Sequence, residues 1–327
     1  MLTIRPFRNE DSPCLLDLWK KNQVQGLRSR LIPLTMNTLQ MQVLGIPFFD
    51  PRSIMLALDG KTPIGYVHTT LGPDANGADQ TRRSGQICFL AVDSGYADVS
   101  AATQALLTAA ERYLTGLGVK EIYGGSPRPC APFYIGFHGG AEAIGFFDSQ
   151  THVIEAFRET GFEVYKTTVR FRLGLTNYTP PMPPGILDWL NKLDIVINDL
   201  PLPKTWWEAC SFANFEWLEA AARLKSNGRP VARVRIRVAN PDSEETDDLY
   251  QGCWDAGLMD VRVHPDFYRQ GVAAYTLREL LRFLIDQSYV RQIEAHIADD
   301  SAMMYPLLRS LHWEEIDTGK IFRKTIG

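Results

Sequence analysis

Apolar residues in this chain recur in runs of period two and period 3.6, and the two kinds of run alternate along its length. Residues 2–7 read as a strand. Asn9 and Asp11 then offer N-caps, Pro13 suits a first helical turn, and Leu15, Leu16, Leu18 and Trp19 form a helical apolar face. A second helix is expected over residues 29–44, with Pro33 limiting its start. Strands are expected at 53–58 and 64–71, around the turn Asp59-Gly60-Lys61, and at 86–92. A helix at 101–117, a strand at 119–123, a helix at 153–160 closed by Gly161 and a strand at 162–173 complete the first half.

The second half repeats this order. A short helix near 186–193 and a strand at 194–197 lead to a hairpin, 217–224 with 231–238, around Asn227-Gly228. A strand at 257–263, a helix at 271–287, a strand at 292–297, a helix at 302–311 and a strand at 315–323 follow. Between the halves lies TNYTPPMPPG, whose four prolines mark a linker. The expected organisation is therefore a domain at 1–175, a linker at 176–185 and a domain at 186–327. Part of the order aligns without gaps. An offset of 171 carries Val92 to Val263, Ala102 to Ala273, Leu106 to Leu277, Val119 to Val290 and Ile122 to Ile293. Such self-similarity implies two copies of one unit, related as in a dimer.

Composition narrows the class. A length of 327 residues favours two domains at ~100–200 residues each. A net charge of −4 argues against nucleic acid as the main partner, because phosphate binding asks for a basic stripe. Cys14, Cys88, Cys130, Cys210 and Cys253 are odd in number and widely spaced, with no Cys/His pairing pattern. Neither a disulfide framework nor a metal site is expected, and a reducing, cytoplasmic setting fits. The opening MLTIRPFRNEDSP has no apolar core, so a secretory signal is not expected, and no apolar run is long enough for a membrane span.

The sharpest chemistry lies in MDVRVHPDFYRQGVAAYTLRELLRFL, residues 259–284. A strand ends at Val263, a turn carries Gly271, and a helix follows with Leu277, Leu280, Leu281 and Leu284 on one face. Small residues, Gly271, Ala273 and Ala274, stand where the helix begins. The first N–H groups of a helix lack intrahelical partners, and the macrodipole adds about half a positive charge there. The result is an anion site that a pyrophosphate can approach closely, with Arg269 adding a charge-assisted contact.

This stretch resembles the coenzyme A signature of the GNAT superfamily (GCN5-related N-acetyltransferases), Gln/Arg-x-x-Gly-x-Gly/Ala after a strand ending in Val-x-Pro. Here it reads Tyr268-Arg269-Gln270-Gly271-Val272-Ala273 after Val263-His264-Pro265, with Tyr in the first place. The resemblance implies an α/β (α+β) fold of two tandem GNAT-like domains, each a mixed central sheet flanked by helices. It implies acetyl-CoA as cosubstrate, held by Val261, Arg262, Val263, Tyr268, Arg269, Gln270, Gly271, Val272, Ala273 and Ala274, with Asp300 or Ser301 where the family often contacts the pantetheine. A backbone N–H near Arg262 or Val263 would polarise the thioester carbonyl. The implied reaction is acetyl transfer to a primary amine of a small molecule or peptide, by a monomer or homodimer.

Catalytic groups are less defined. The family's proton-donating Tyr, four residues before a Gly-Phe pair, corresponds to Leu308, because His312-Trp313 takes the Gly-Phe place. Tyr305 lies one turn earlier on the same helical face, as a substitute donor or as a packed or coenzyme-contacting Tyr. Candidate bases on the central strands are Asp260, Glu294, His296 and Glu219; Asp260 pairing with Arg262 on a solvated face is the plainer reading. At the 171 offset the first copy has Ser100 for Gly271, Asp98 for Arg269 and Ser94 for Pro265. A carboxylate there satisfies the helix terminus and repels pyrophosphate, so a degenerate coenzyme site is expected. Residues 126–147 form an insertion of about 20 residues, since the offset drops to 151 after it, where Gly161 aligns with His312. Its Phe133, Tyr134, Phe137 and His138 either line an acceptor pocket or pack between the domains, and Trp206, Trp207, Phe212, Phe215 and Trp217 pose the same choice. Two further function classes stay open: a catalytically silent acyl-CoA-binding or regulatory protein, and an unrelated α/β enzyme holding another phosphate ligand at Gly271.

Overall fold

A computed structural model of the chain describes residues 1–23, 34–125, 127, 131–137, 141, 145–182, 186–199, 202–212, 215–239, 254–288 and 290–327. Among them the first half runs β1 (Leu2–Pro6), α1 (Ser12–Gln23), α2 (Met36–Leu39), β2 (Ile54–Asp59), β3 (Thr62–Pro73), β4 (Gln80–Val92), α3 (Val99–Gly116), β5 (Glu121–Gly124), β6 (Phe146–Phe147), α4 (Thr151–Glu159) and β7 (Glu163–Gly174). The second runs α5 (Leu187–Leu190), β8 (Leu193–Asn198), α6 (Trp206–Phe212), β9 (Glu216–Leu224), β10 (Pro230–Ala239), β11 (Trp254–Val263), α7 (Val272–Gln287), β12 (Val290–Ala298), α8 (Met304–Ser310) and β13 (Glu314–Thr325). No helix here is long and apolar enough to cross a membrane.

Local chemistry explains where the boundaries moved. Asp11 does not cap α1; its carboxylate turns back to accept the Arg8 N–H at 2.7 Å and pairs with Arg5, tying a short 3₁₀ turn to β1. The expected second helix is reduced to α2, capped by Thr35, and a π turn at Gln40–Leu44; its expected start at residues 29–33 lies outside the described residues. In α8, Pro306 lacks an N–H and so must sit in the first turn, which delays the start to Met304.

The strands form one sheet in the order β1-β2-β3-β4-β5-β13-β7-β12-β11-β10-β9-β8, with β6 against β13. The order contains an exchange. β7, the last strand of the first copy, pairs with β12 of the second, while β13, the last strand of the second, pairs with β5 of the first. The two exchanged strands also pair antiparallel with each other, from Glu314↔Arg172 to Arg323↔Glu163. Neither copy thus completes its sheet alone.

Burial follows the alternation. Val169, Phe171 and Leu173 of β7 share a core with Val234, Ile236, Ala256, Leu258, Ile293, Ala295 and the α7 leucines. The alternate positions Arg170 and Arg172 lie on the opposite face, where β12 sets Glu294 and His296. In the first copy α3 covers one face, through Leu106, Leu107, Ala110 and Leu114. The other face carries an aromatic cluster: Trp19 stacks on Phe89 at 4.8 Å, and Tyr134 lies 5.0 Å from Phe89.

The 171 offset survives in the strands and fails at the helix start. The parallel pairing of β4 with β5 ends at Ile87↔Gly124, and that of β11 with β12 at Leu258↔Ala295, the same repeat positions. The N-caps of α3 and α7, however, are Asp98 and Gly271, which lie 173 apart. The second copy has lengthened its turn by two residues and shortened the front of its helix to match. Asp98, rather than Ser100, therefore stands in the place of Gly271.

Candidate functional site

β11 leaves β12 after Leu258. Of its remaining residues, Asp260 to Val263 pair only with β10, while β12 continues from His296 to Ala298 against β7. A bulge in β11 opposite the Arg235–Ile236 step sharpens the divergence. The gap opens a cavity of about 380 Å³ lined by Leu258 to Val261 of β11, Ala295 to Ala298 of β12, Asp300, Ser301, Met304 and Ile321. Pro127, Tyr165, Lys166 and Thr168 complete the wall, and these four come from the first copy. The equivalent gap in the first copy is filled from within. Phe89, at the repeat position of Asp260, stacks among Trp19, Tyr66 and Tyr134, and Gln86 accepts the Ala131 N–H at 3.1 Å.

The turn after β11 is tightly braced. His264 caps a 3₁₀ turn, Pro265–Phe267, by accepting the Asp266 N–H, and Arg229 of the neighbouring hairpin binds the Asp266 carboxylate at 2.8 Å. Trp189 of α5 donates its indole N–H to the Gln270 carbonyl and packs edge-on against Phe267. Arg269 and Gly271 both adopt positive φ, at 59° and 81°. At Gly271 the left-handed backbone and the missing side chain act together. The helix begins there with no side-chain cap, so the N–H groups of Val272, Ala273 and Ala274 face outward with the dipole behind them. In α3, by contrast, the Asp98 carboxylate accepts the Ala101 N–H at 3.0 Å and brings a negative charge to the same place.

Of the sequence-derived candidates, the cavity collects Asp260, Val261, His296, Asp300 and Ser301. Arg262, Val263 and residues 268–274 lie along the splayed strand and the turn beyond its lining. Asp260 is held by Arg262 at 2.8 Å and by Arg233 at 3.0 Å. Tyr305 stands outside the lining; its hydroxyl donates to Glu315, which raises its pKa, and Phe171 packs edge-on against the ring. Leu308 is buried in the core. Glu219 binds Arg235 at 2.6 Å. Glu294 has no exposed surface. Burial alone pushes its pKa up, but His296 and the Arg170 and Arg172 guanidiniums outweigh that and hold it down to about 2.

Sequence reasoning missed Tyr165, Lys166 and Thr168 as wall residues, because β7 belongs to the first copy in sequence. One signal was present: in VRFRLG, arginines alternate with apolar residues, which marks a strand whose polar face needs buried partners. Phe133, Tyr134 and Phe137 pack into the first copy's aromatic cluster, and Phe137 also meets Phe215 edge-on. His138 lies outside the described residues.

A doubled mixed sheet whose central parallel pair splays beside an uncapped helix terminus is the fold of the GCN5-related N-acetyltransferases in its tandem form. A tandem GNAT protein from the clavulanic acid biosynthesis pathway, solved without acetyl-CoA, superposes with a TM-score of 0.66 at 15% identity, over 100% of this chain and 99% of that one. A GCN5-related glucosamine N-acetyltransferase region of a fungal multi-domain GH3 β-N-acetylglucosaminidase gives 0.66 at 15% identity, over 99% of this chain and 38% of that one. The GCN5-related N-acetyltransferase from Sphaerobacter thermophilus gives 0.63 at 13%, over 99% and 95%. No family model and no curated protein sequence matches the chain.

Proposed function

We propose that the protein is an N-acetyltransferase that moves an acetyl group from acetyl-CoA to a primary amine of a small molecule or peptide, with the reaction in the second copy. The observation that carries this reading is the departure of β11 from β12 after Leu258, which opens a cavity beside the uncapped start of α7. Backbone groups of Val261, Arg262 and Val263 on the side facing the gap have no partner strand and suit an extended pantetheine arm. The residues Arg269 to Ala274 suit its pyrophosphate, through backbone N–H groups and the Arg269 side chain. Asp300 and Ser301 also line the cavity.

The chemistry asked of the chain is modest. The amine nitrogen bonds to the thioester carbon, the C–S bond breaks, coenzyme A leaves as thiolate, and the nitrogen loses a proton. An N–H at Arg262 or Val263 stabilises the charge on the carbonyl oxygen. His296 is the proposed proton acceptor, because it lines the cavity and an imidazole nitrogen can take up a proton. Asp260 shares the wall but is engaged by two arginines. Titration of the purified protein with acetyl-CoA in a calorimeter, followed by thiol release across an amine panel, tests the proposal. Absence of binding would sink it.

A second reading, a silent acyl-CoA-binding or regulatory protein, is favoured by one observation. Leu308 stands buried at the usual donor position, and Tyr305 is bound to Glu315 outside the cavity. Tight acetyl-CoA binding with no turnover on any amine would select it.

A further inference from the structure

The second copy's cavity is backed by a cluster of buried charges that the reaction above does not use. On β12, Ile293, Ala295 and Ile297 enter the core, so Glu294 and His296 share the other face. Both Glu294 oxygens are occupied. Oε2 accepts from Arg170 Nε at 2.7 Å, and Oε1 accepts from Arg172 Nε at 2.8 Å and from its terminal nitrogen at 2.6 Å. Both arginines belong to β7, the strand lent by the first copy. His296 Nε2 lies 3.8 Å from Glu294 Oε2, beyond hydrogen-bond length but within ion-pair reach. Phe147 of β6 meets the imidazole edge-on at 5.6 Å.

A carboxylate with no exposed surface beside an imidazole favours the tautomer with its proton on Nε2, leaving the Nδ1 lone pair to accept a proton. It also stabilises the imidazolium that then forms. The two guanidiniums keep the carboxylate ionised and fix its plane. We propose that Glu294, clamped by Arg170 and Arg172, is a positioning residue that sets the tautomer and proton affinity of His296 in the acetyl-transfer cavity. This rests on the acetyltransferase reading above. It goes beyond it by making the second copy's chemistry depend on two side chains of the first. Other groups near the imidazole set its balance too: Lys166 and Tyr165 of β7, Asp260 of β11 and Asp300 after β12 line the same cavity.

The test uses the full chain and two variants with opposite expected signs. In Glu294→Gln the His296 titration midpoint, read by NMR of the imidazole C–H, falls. In Arg172→Met, where one counter-charge to Glu294 is removed at a partly exposed site, the midpoint rises. The acid limb of kcat moves the same way in each case. For Glu294→Gln, kcat falls at least tenfold while KM for acetyl-CoA stays within twofold. If Glu294→Gln does not fold, the sign in Arg172→Met decides alone. Folded variants with unmoved midpoints overturn the positioning role and leave the acetyltransferase reading standing. A wild-type protein that neither binds acetyl-CoA nor releases thiol overturns that reading, and the catalytic role of the clamp with it, whatever the midpoints do.

Discussion

Arg170 donates from Nε to Glu294 Oε2 at 2.7 Å, and the two residues come from different copies of the repeat. The contact exists because β7 and β13 have changed places between the copies. Every step of the sheet from β5 to β12 is therefore an inter-copy pairing, in which β13 meets β5, β7 meets β13, and β12 meets β7.

Separation of the copies should be destructive. Residues 1–182 and 186–327 expressed alone are each expected to lack a strand beside their central parallel pair, and to leave β5 or β12 as an open edge. Far-UV circular dichroism and size exclusion should show aggregated or loosely packed halves, with recovery on co-expression. Two well-folded monomeric halves would contradict the exchange.

Breaking the buried pair should be costly. In Arg170→Ala the Glu294 carboxylate keeps one guanidinium partner, Arg172, and a loss of about 3–5 kcal/mol in urea unfolding is expected. Glu294 ordinarily titrates near 4.5, and the fold holds it at about 2. Its contribution is thus complete above pH 4.5 and disappears as the pH falls toward about 2, amounting to about 3 kcal/mol. Glu294→Gln should flatten the stability profile in that window, a change readable by denaturant melts.

A second acid-sensitive group acts at higher pH. His68 is fully buried against Phe133 and Tyr134, and burial pushes its pKa from 6.5 down to about 3. The unfolded chain takes up a proton there below pH 6.5, whereas the folded chain does not. Stability should therefore fall as the pH drops from 6.5 toward 3. Tm measured between pH 7 and pH 5 should depend less on pH in His68→Phe than in the wild type. The partly buried His152, shifted in the same direction, supplies part of the remaining slope.

The two helix termini should respond in opposite ways. Gly271→Asp places a carboxylate at the start of α7, where Asp98 stands in α3. Two like charges 4 Å apart repel by roughly 4 kcal/mol at an effective dielectric near 20, so acetyl-CoA affinity should fall by two orders of magnitude or more in calorimetry. Asp98→Ala should leave that affinity unchanged and destabilise the protein by about 1 kcal/mol through loss of the cap.

The short-range part of the design was legible in the sequence. The apolar period of residues 271–287, the Asn227-Gly228 turn, the prolines of 176–185 and the small residues around Gly271 are local signals, because backbone sterics and helix termini act over a few residues. The 171 offset is likewise read from strand and helix spacing, and the two parallel pairings end at positions that it relates, Ile87 and Leu258. Sequence reading misplaced the helix start by two residues, since an N-cap is settled by which side chain can reach the first N–H groups. It paired Asp260 with Arg262 but not with Arg233, and it did not foresee that Glu315 engages the Tyr305 hydroxyl. It also did not place Tyr165, Lys166 and Arg170 beside His296, although the alternating arginines of VRFRLG marked a polar strand face in need of partners. The sequence by itself determined two copies of one unit and, in the second, a glycine turn that leads into a helix. Only the tertiary structure decided that each copy lends its last strand to the other, because strand pairing depends on contacts more than 120 residues apart, which local propensity does not encode.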